Sequence, residues 1–207
     1  DTVAHALTLR HRDNATWRSL VGELTPLAKT IGGDTPFDTG LYGATEMFVD
    51  GFMALYDAGV LKREVIDDLD RQTALNAGEP VREDDITQVL HGGFFLGPRC
   101  FYDRLSTMSL TERRRFHMTT VGRINQLHGT ESLDRLQRGR ARFINTGLKC
   151  MLTGAVVSDA LDNHRVLSGV GGQYNFVAQA HALDDGRSIL LIKAVRGDGK
   201  DAESNIV

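Results

Sequence analysis

Apolar residues in the first third of the chain recur at three- and four-residue spacing. Trp17, Leu20, Val21, Leu24, Leu27, Ala28 and Ile31 fall on one stripe of a helix, for which Asn14 fits as the N-cap. Gly32-Gly33-Asp34-Thr35-Pro36 cannot continue that helix and predicts a turn that re-aims the chain. Helical spacing returns over 47–58 through Phe48, Phe52, Leu55 and Tyr56, and Gly59 stops it. Glu46 is thereby expected in, or just before, the first turn of a helix. The polar stretch 62–87 predicts helices and loops on the surface, with no strong strand signal. His91-Gly92-Gly93-Phe94-Phe95-Leu96-Gly97-Pro98 is apolar and glycine-flanked, which predicts a buried turn. Thr111 and Ser132 are each followed by helix formers, so two more helices are expected before Gly139.

The last third changes period. Residues 142–144 and 148–157 read as strands, 168–173 as a glycine loop, 174–182 as a helix and 188–195 as a continuous apolar strand. Strand, loop, helix, strand is the order of a parallel α/β unit, whose apolar strand is expected to be covered on both faces.

Composition narrows the class. With 41% hydrophobic and 25% charged residues, the 207-residue chain is neither disordered nor fibrous, and it has no apolar run of membrane length. Two cysteines, Cys100 and Cys150, with no Cys-x-x-Cys pair suit small buried hydrophobes in a reducing, cytoplasmic setting. A formal charge of -3 argues against a general nucleic-acid binder, which needs a basic face. The middle of the chain is locally basic, through Arg113, Arg114, Arg115, Arg123, Arg135, Arg138, Arg140 and Arg142. Solvated helix faces with a few ion pairs are the plain reading of that run. Glycine, at 22 residues, is in excess and clustered. The chain starts at Asp1 and ends on Ser204-Asn205-Ile206-Val207, which reads as a fragment of something longer.

Candidate chemistry is sparse. Ser168-Gly169-Val170-Gly171-Gly172-Gln173 is expected to follow a strand and open a helix, where free backbone N–H groups bind anions. It matches neither a dinucleotide fingerprint nor a P-loop, and a structural tight turn is the competing reading. His91-Gly92-Gly93 looks like an esterase oxyanion segment, but no Gly-x-Ser-x-Gly nucleophile elbow accompanies it. The seven histidines show no paired metal-ligand spacing, so each is read as a surface or satisfied side chain and no metal is expected. Glu46 is an acidic residue in unusually apolar surroundings. A favourable partner for a helix dipole is its plain reading.

Several segments together resemble a known family. Leu41-Tyr42-Gly43-Ala44-Thr45-Glu46-Met47, Gly92-Gly93-Phe94-Phe95-Leu96-Gly97-Pro98, Phe143-Ile144-Asn145-Thr146 and Gly169-Val170-Gly171-Gly172-Gln173-Tyr174-Asn175-Phe176 are similar, in order, to the C-terminal half of the acetyl-CoA hydrolase/transferase family, the class I coenzyme A transferases. The resemblance implies an open, largely parallel α/β sheet flanked by helices, CoA-transferase/NagB-like. It takes 1–207 as the C-terminal domain, with an inserted helical segment at about 60–140. It also implies an N-terminal half on the same polypeptide.

The same resemblance implies roles. Glu46 would be the nucleophile and Asn145 would orient it or stabilise an oxyanion. Gly169, Gly171, Gly172 and Gln173 would line the CoA arm and the thioester carbonyl. Acyl-CoA and a small carboxylate would be substrates, with no permanently bound cofactor, no nucleic acid or membrane partner, and a homodimer as the expected assembly. Thioester hydrolysis is the alternative within the class, and a non-catalytic acyl-CoA-binding or assembly module the alternative outside it.

Overall fold

The computed structural model describes residues 15–30, 38–160, 165–169, 171–197 and 199–207, with the backbone alone at 16, 17, 20 and 27–30. The expected cap Asn14, the turn at 32–36 and Val170 lie outside them. Two compact units divide the chain, Asp1–Ile124 and Asn125–Val207. No helix among the described residues is long and apolar enough to cross a membrane.

The first helix, α1 (Ala15–Thr30), forms where the apolar spacing places it. Leu24, on the expected buried stripe, is nevertheless exposed. Next come β1 (Gly43–Phe48), α2 (Asp50–Asp57), β2 (Val65–Ile66), α3 (Leu69–Asn76), β3 (Thr87–Gln88) and β4 (Leu90–Phe95). After these the first unit adds α4 (Arg99–Ser106), α5 (Leu110–Arg114) and β5 (Phe116–Met118). Gly59, at φ 68°, ends α2 as expected, because only glycine enters the left-handed region without a Cβ clash. A Ser109–Glu112 capping box starts α5, two residues before the expected Thr111.

β1, β4 and β5 form a parallel sheet in the order β1-β4-β5. This corrects one expectation. The segment 91–98 is not a buried turn, since most of it is the central strand of the sheet. The range 60–140, expected as a helical insertion, holds helices together with β2, β3, β4 and β5. The glycines that made 91–98 look like a turn are there for close packing: a Cβ on Gly92 would lie 3.1 Å from Met118 Sδ. Under the sheet, Phe48 is fully buried and stacks on Phe116 at 5.1 Å, with Phe101 edge-on at 5.5 Å. Met53, Leu61, Val89, Leu90 and Met108 complete that core.

The second unit contains α7 (Glu131–Gln137), preceded by α6 (Val121–Asn125) at the boundary, and then β6 (Arg142–Gly147). Two short strands, β7 (Lys149–Cys150) and β8 (Val156–Val157), pair antiparallel. They replace the single strand expected at 148–157, because Gly154, at φ 90°, turns the chain back. α8 (Gln173–Ala182) then leads to β9 (Arg187–Ile192), which pairs parallel with β6 from Arg142↔Arg187 to Gly147↔Ile192. This is the strand–helix–strand unit read from the sequence. Phe143 and Phe176 stack at 5.7 Å and pack α8 on the pair, beside Leu127, Ala180 and Leu183. The expected cover on both faces is absent among the described residues. Ile144 is 60% and Leu191 53% exposed. β10 (Val195–Arg196) and β11 (Glu203–Ser204) form a terminal hairpin.

Candidate active site

Glu46 lies near the carboxyl end of β1, not at a helix start. The helix begins later, at Asp50, with Val49 as its extended N-cap. Ligands of open α/β sheets collect at the carboxyl ends of the strands, so the correction moves Glu46 to a more telling place. Gly93 of β4 faces it. A Cβ there would come within 2.8 Å of the Glu46 carbonyl oxygen and 2.9 Å of Val121 Cγ2, so only glycine fits beside the acidic residue. Met47, Phe94, Phe95 and Leu96 leave large apolar surfaces exposed at this end of the sheet. Such groups can keep water from a reacting carboxylate.

A second constellation, which the sequence reading missed, occupies the same unit. His91 and His117 are Cα partners on adjacent parallel strands, so both rings leave the same face, with centroids 5.0 Å apart. Asp67, in the loop after β2, places Oδ2 2.9 Å from His91 Nε2 and 3.2 Å from His117 Nδ1. On the far side of the buried His91, the Tyr42 hydroxyl lies 2.6 Å from Nδ1. Arg123 sits 3.7 Å from the other Asp67 oxygen. No spacing rule finds this group, because 91 and 117 meet only through sheet register.

In the second unit, Asn145 lies on β6 with Leu190 as its partner on β9. Its amide Nδ2 is buried and has no hydrogen-bond partner among the described residues. A buried donor left this way costs about 1–3 kcal/mol, so it needs a reason. The loop before α8 is built as its glycines imply. Gly171 is in the left-handed region at φ 58°, and Gly172 is the N-cap of α8 without a side-chain cap. The first N–H groups of that helix therefore have no intrahelical acceptor. Gln173 opens the helix and is half-buried, while a Cβ on Gly169 would meet nothing within 4 Å. Gly171, Gly172 and Gln173 are thus one continuous backbone feature. Glu46 belongs to the first unit, and Asn145 and the loop belong to the second.

The arginine-rich middle is used within each unit. Arg115 pairs with Glu64, Arg135 with Glu131 and the Ala182 carbonyl, and Arg142 donates to the Asp185 carbonyl. Arg138 departs from the solvated-face reading. It is buried, donates to Gln179 Oε1 at 2.6 Å and pairs with the fully buried Asp134.

Residues 97–207, slightly more than half of the chain, match the acetyl-CoA hydrolase/transferase C-terminal domain family. That region contains Asn145 and the glycine loop, and Glu46 precedes it. Among solved structures, RipA from Yersinia pestis is similar at 24% identity and a TM-score of 0.52, covering 79% of this chain. A methionine-to-glycine mutant of RipA gives the same identity and coverage with a TM-score of 0.53. The chain spans 30% of the length of those RipA chains, and at this identity the likeness concerns the fold. No curated protein sequence matches it.

Proposed function

Because this chain belongs to the acetyl-CoA hydrolase/transferase family, as its C-terminal domain match establishes, we propose that it serves an enzyme moving coenzyme A from an acyl-CoA such as acetyl-CoA to a carboxylate acceptor. Glu46 is the nucleophile in this reading. The observation that carries the assignment is its position near the carboxyl end of a parallel strand, beside a glycine at which an added Cβ would press on the Glu46 carbonyl oxygen at 2.8 Å. An N-terminal half of the same polypeptide, a cytoplasmic setting and a homodimer belong to the proposal as well.

The chemistry follows from the groups. The Glu46 carboxylate attacks the thioester carbonyl, the C–S bond breaks, CoA leaves as thiolate, and an acyl-glutamyl anhydride forms. The thiolate then attacks the glutamyl carbonyl and expels the first acyl group as its carboxylate. This leaves a glutamyl-CoA thioester. An acceptor carboxylate attacks that thioester in turn, giving a second anhydride and free thiolate. Attack of the thiolate on the acceptor's carbonyl yields the new acyl-CoA and regenerates Glu46. Water in place of the acceptor gives hydrolysis.

A carboxylate is a weak nucleophile in water, and holding it in line with the thioester supplies about 7–11 kcal/mol of the barrier. Each tetrahedral intermediate carries an oxyanion. The buried Asn145 Nδ2 and the backbone N–H groups following Gly171 and Gly172 are donors of the right kind, each worth about 2.7–4 kcal/mol when aimed at that charge. Gly169 and Gln173 flank the CoA arm in this reading.

Steady-state transfer from acetyl-CoA to added carboxylates, measured on the intact natural polypeptide, tests the proposal. Glu46→Gln is expected to lose several orders of magnitude in kcat. An unchanged rate would support a non-catalytic acyl-CoA-binding or assembly module instead. CoA release that ignores the acceptor would make the enzyme a hydrolase.

A further inference from the structure

We propose that Asp67, His91 and His117 bind a divalent first-row transition ion such as zinc. The three donor atoms, Asp67 Oδ2, His91 Nε2 and His117 Nδ1, all lie within 4.8 Å of one another. Tetrahedral ligands about 2.0–2.1 Å from zinc are about 3.3 Å apart. The two separations from Asp67 Oδ2, 2.9 and 3.2 Å, are within about half an ångström of that, and the two histidine nitrogens lie within 4.8 Å of each other. Two imidazoles and one carboxylate suit a borderline ion and disfavour magnesium or calcium, which take oxygen sets. The open fourth position is that of a site able to take water or an anion, unlike a closed structural one.

The surroundings supply what such ligands need. His91 is 2% exposed, and Tyr42 holds its second ring nitrogen at 2.6 Å, which fixes the ring's orientation. With an ion on Nε2, Nδ1–H donates to the Tyr42 oxygen, the usual outer bond of a metal-bound histidine. Arg123 pairs with Asp67 Oδ1, the opposite oxygen from the one that faces the two histidines. His117 is 45% exposed, which leaves a solvent path for entry. Without an ion the same atoms make a chain in which Tyr42 donates to His91 and His91 donates to Asp67. The two uses are exclusive, because the lone pair that binds the ion is the one that carries the proton in the chain. This site does not depend on the transferase reading, since none of its three ligands is assigned a catalytic role.

Cobalt(II) is the probe, added alone to the intact natural polypeptide freed of metal. The expected result is the visible absorption of tetrahedral cobalt at one equivalent, displaced by zinc. His117→Ala, at an exposed position, is expected to abolish the band with the circular dichroism unchanged. Tyr42→Phe is expected to weaken cobalt binding about 10–100-fold. Absence of the visible band, or a band that persists in both His117→Ala and Asp67→Asn, overturns the proposal.

Discussion

Gly93 packs so closely on Glu46 that a single added methyl group would lie 2.8 Å from the Glu46 carbonyl oxygen and 2.9 Å from Val121. Gly93→Ala is therefore expected to push β4 away from β1, at a cost of about 1–3 kcal/mol in unfolding free energy. Because the displaced backbone is that of Glu46, turnover should fall as well. Urea denaturation and steady-state kinetics on the same variant check both, and a neutral substitution would show that β4 does not position the acidic residue.

Asn145 separates stability from function. Its buried Nδ2 has no partner among the described residues, so removing it gives up no visible hydrogen bond. Asn145→Ala is expected to change the denaturation midpoint little while lowering kcat about 10²–10³-fold. A large loss of stability with unchanged kcat would make the residue structural.

In the second unit, Arg138 and Asp134 form an ion pair whose side chains are 3% and 0% exposed. Thr130 donates to the other Asp134 oxygen at 2.9 Å. Asp134→Ala would remove a buried counter-charge of the arginine and is expected to cost about 3–5 kcal/mol. Replacing both by apolar residues of similar volume should cost much less. Denaturant unfolding of the single and double variants measures the difference.

Acid should protonate Asp85 late. Hydrogen bonds from the Arg71 side chain, and then from the Arg82 backbone N–H, hold its carboxyl at about 2 against an ordinary 3.8. A depressed folded value means that the contribution is present above 3.8 and is lost as pH falls through about 2. The denaturation midpoints of the native chain and Asp85→Asn should therefore differ above pH 3.8 and converge towards pH 2. Parallel curves across that window would show that the Arg71 pair does not couple to folding.

The parallel pairing of β6 with β9 around α8 was legible because each element carries its own signal: apolar strands, a glycine loop and a helix in sequence. The stop at Gly59 was equally local. β4 was not legible, since Gly92 and Gly93 imitate a turn and their purpose appears only against Met118 and Glu46. Glu46 was misplaced for a related reason. Thr45-Glu46-Met47-Phe48 suits a helix start as well as a strand, and the pairing of Thr45 with Gly92 decides it. His91 and His117 meet through β4–β5 register and Asp67 joins them from the loop after β2, which no local pattern encodes. Burial of β9 was overestimated because an apolar strand reveals its preference for cover without revealing what covers it.

The central claim is that Glu46 becomes covalently bonded during turnover. Incubating the intact natural polypeptide with acetyl-CoA, quenching with borohydride or hydroxylamine and mapping the peptides by mass spectrometry reads this directly. The expected result is a modified Glu46 that disappears when acyl-CoA is omitted. An unmodified Glu46 in a sample that is turning over would contradict it.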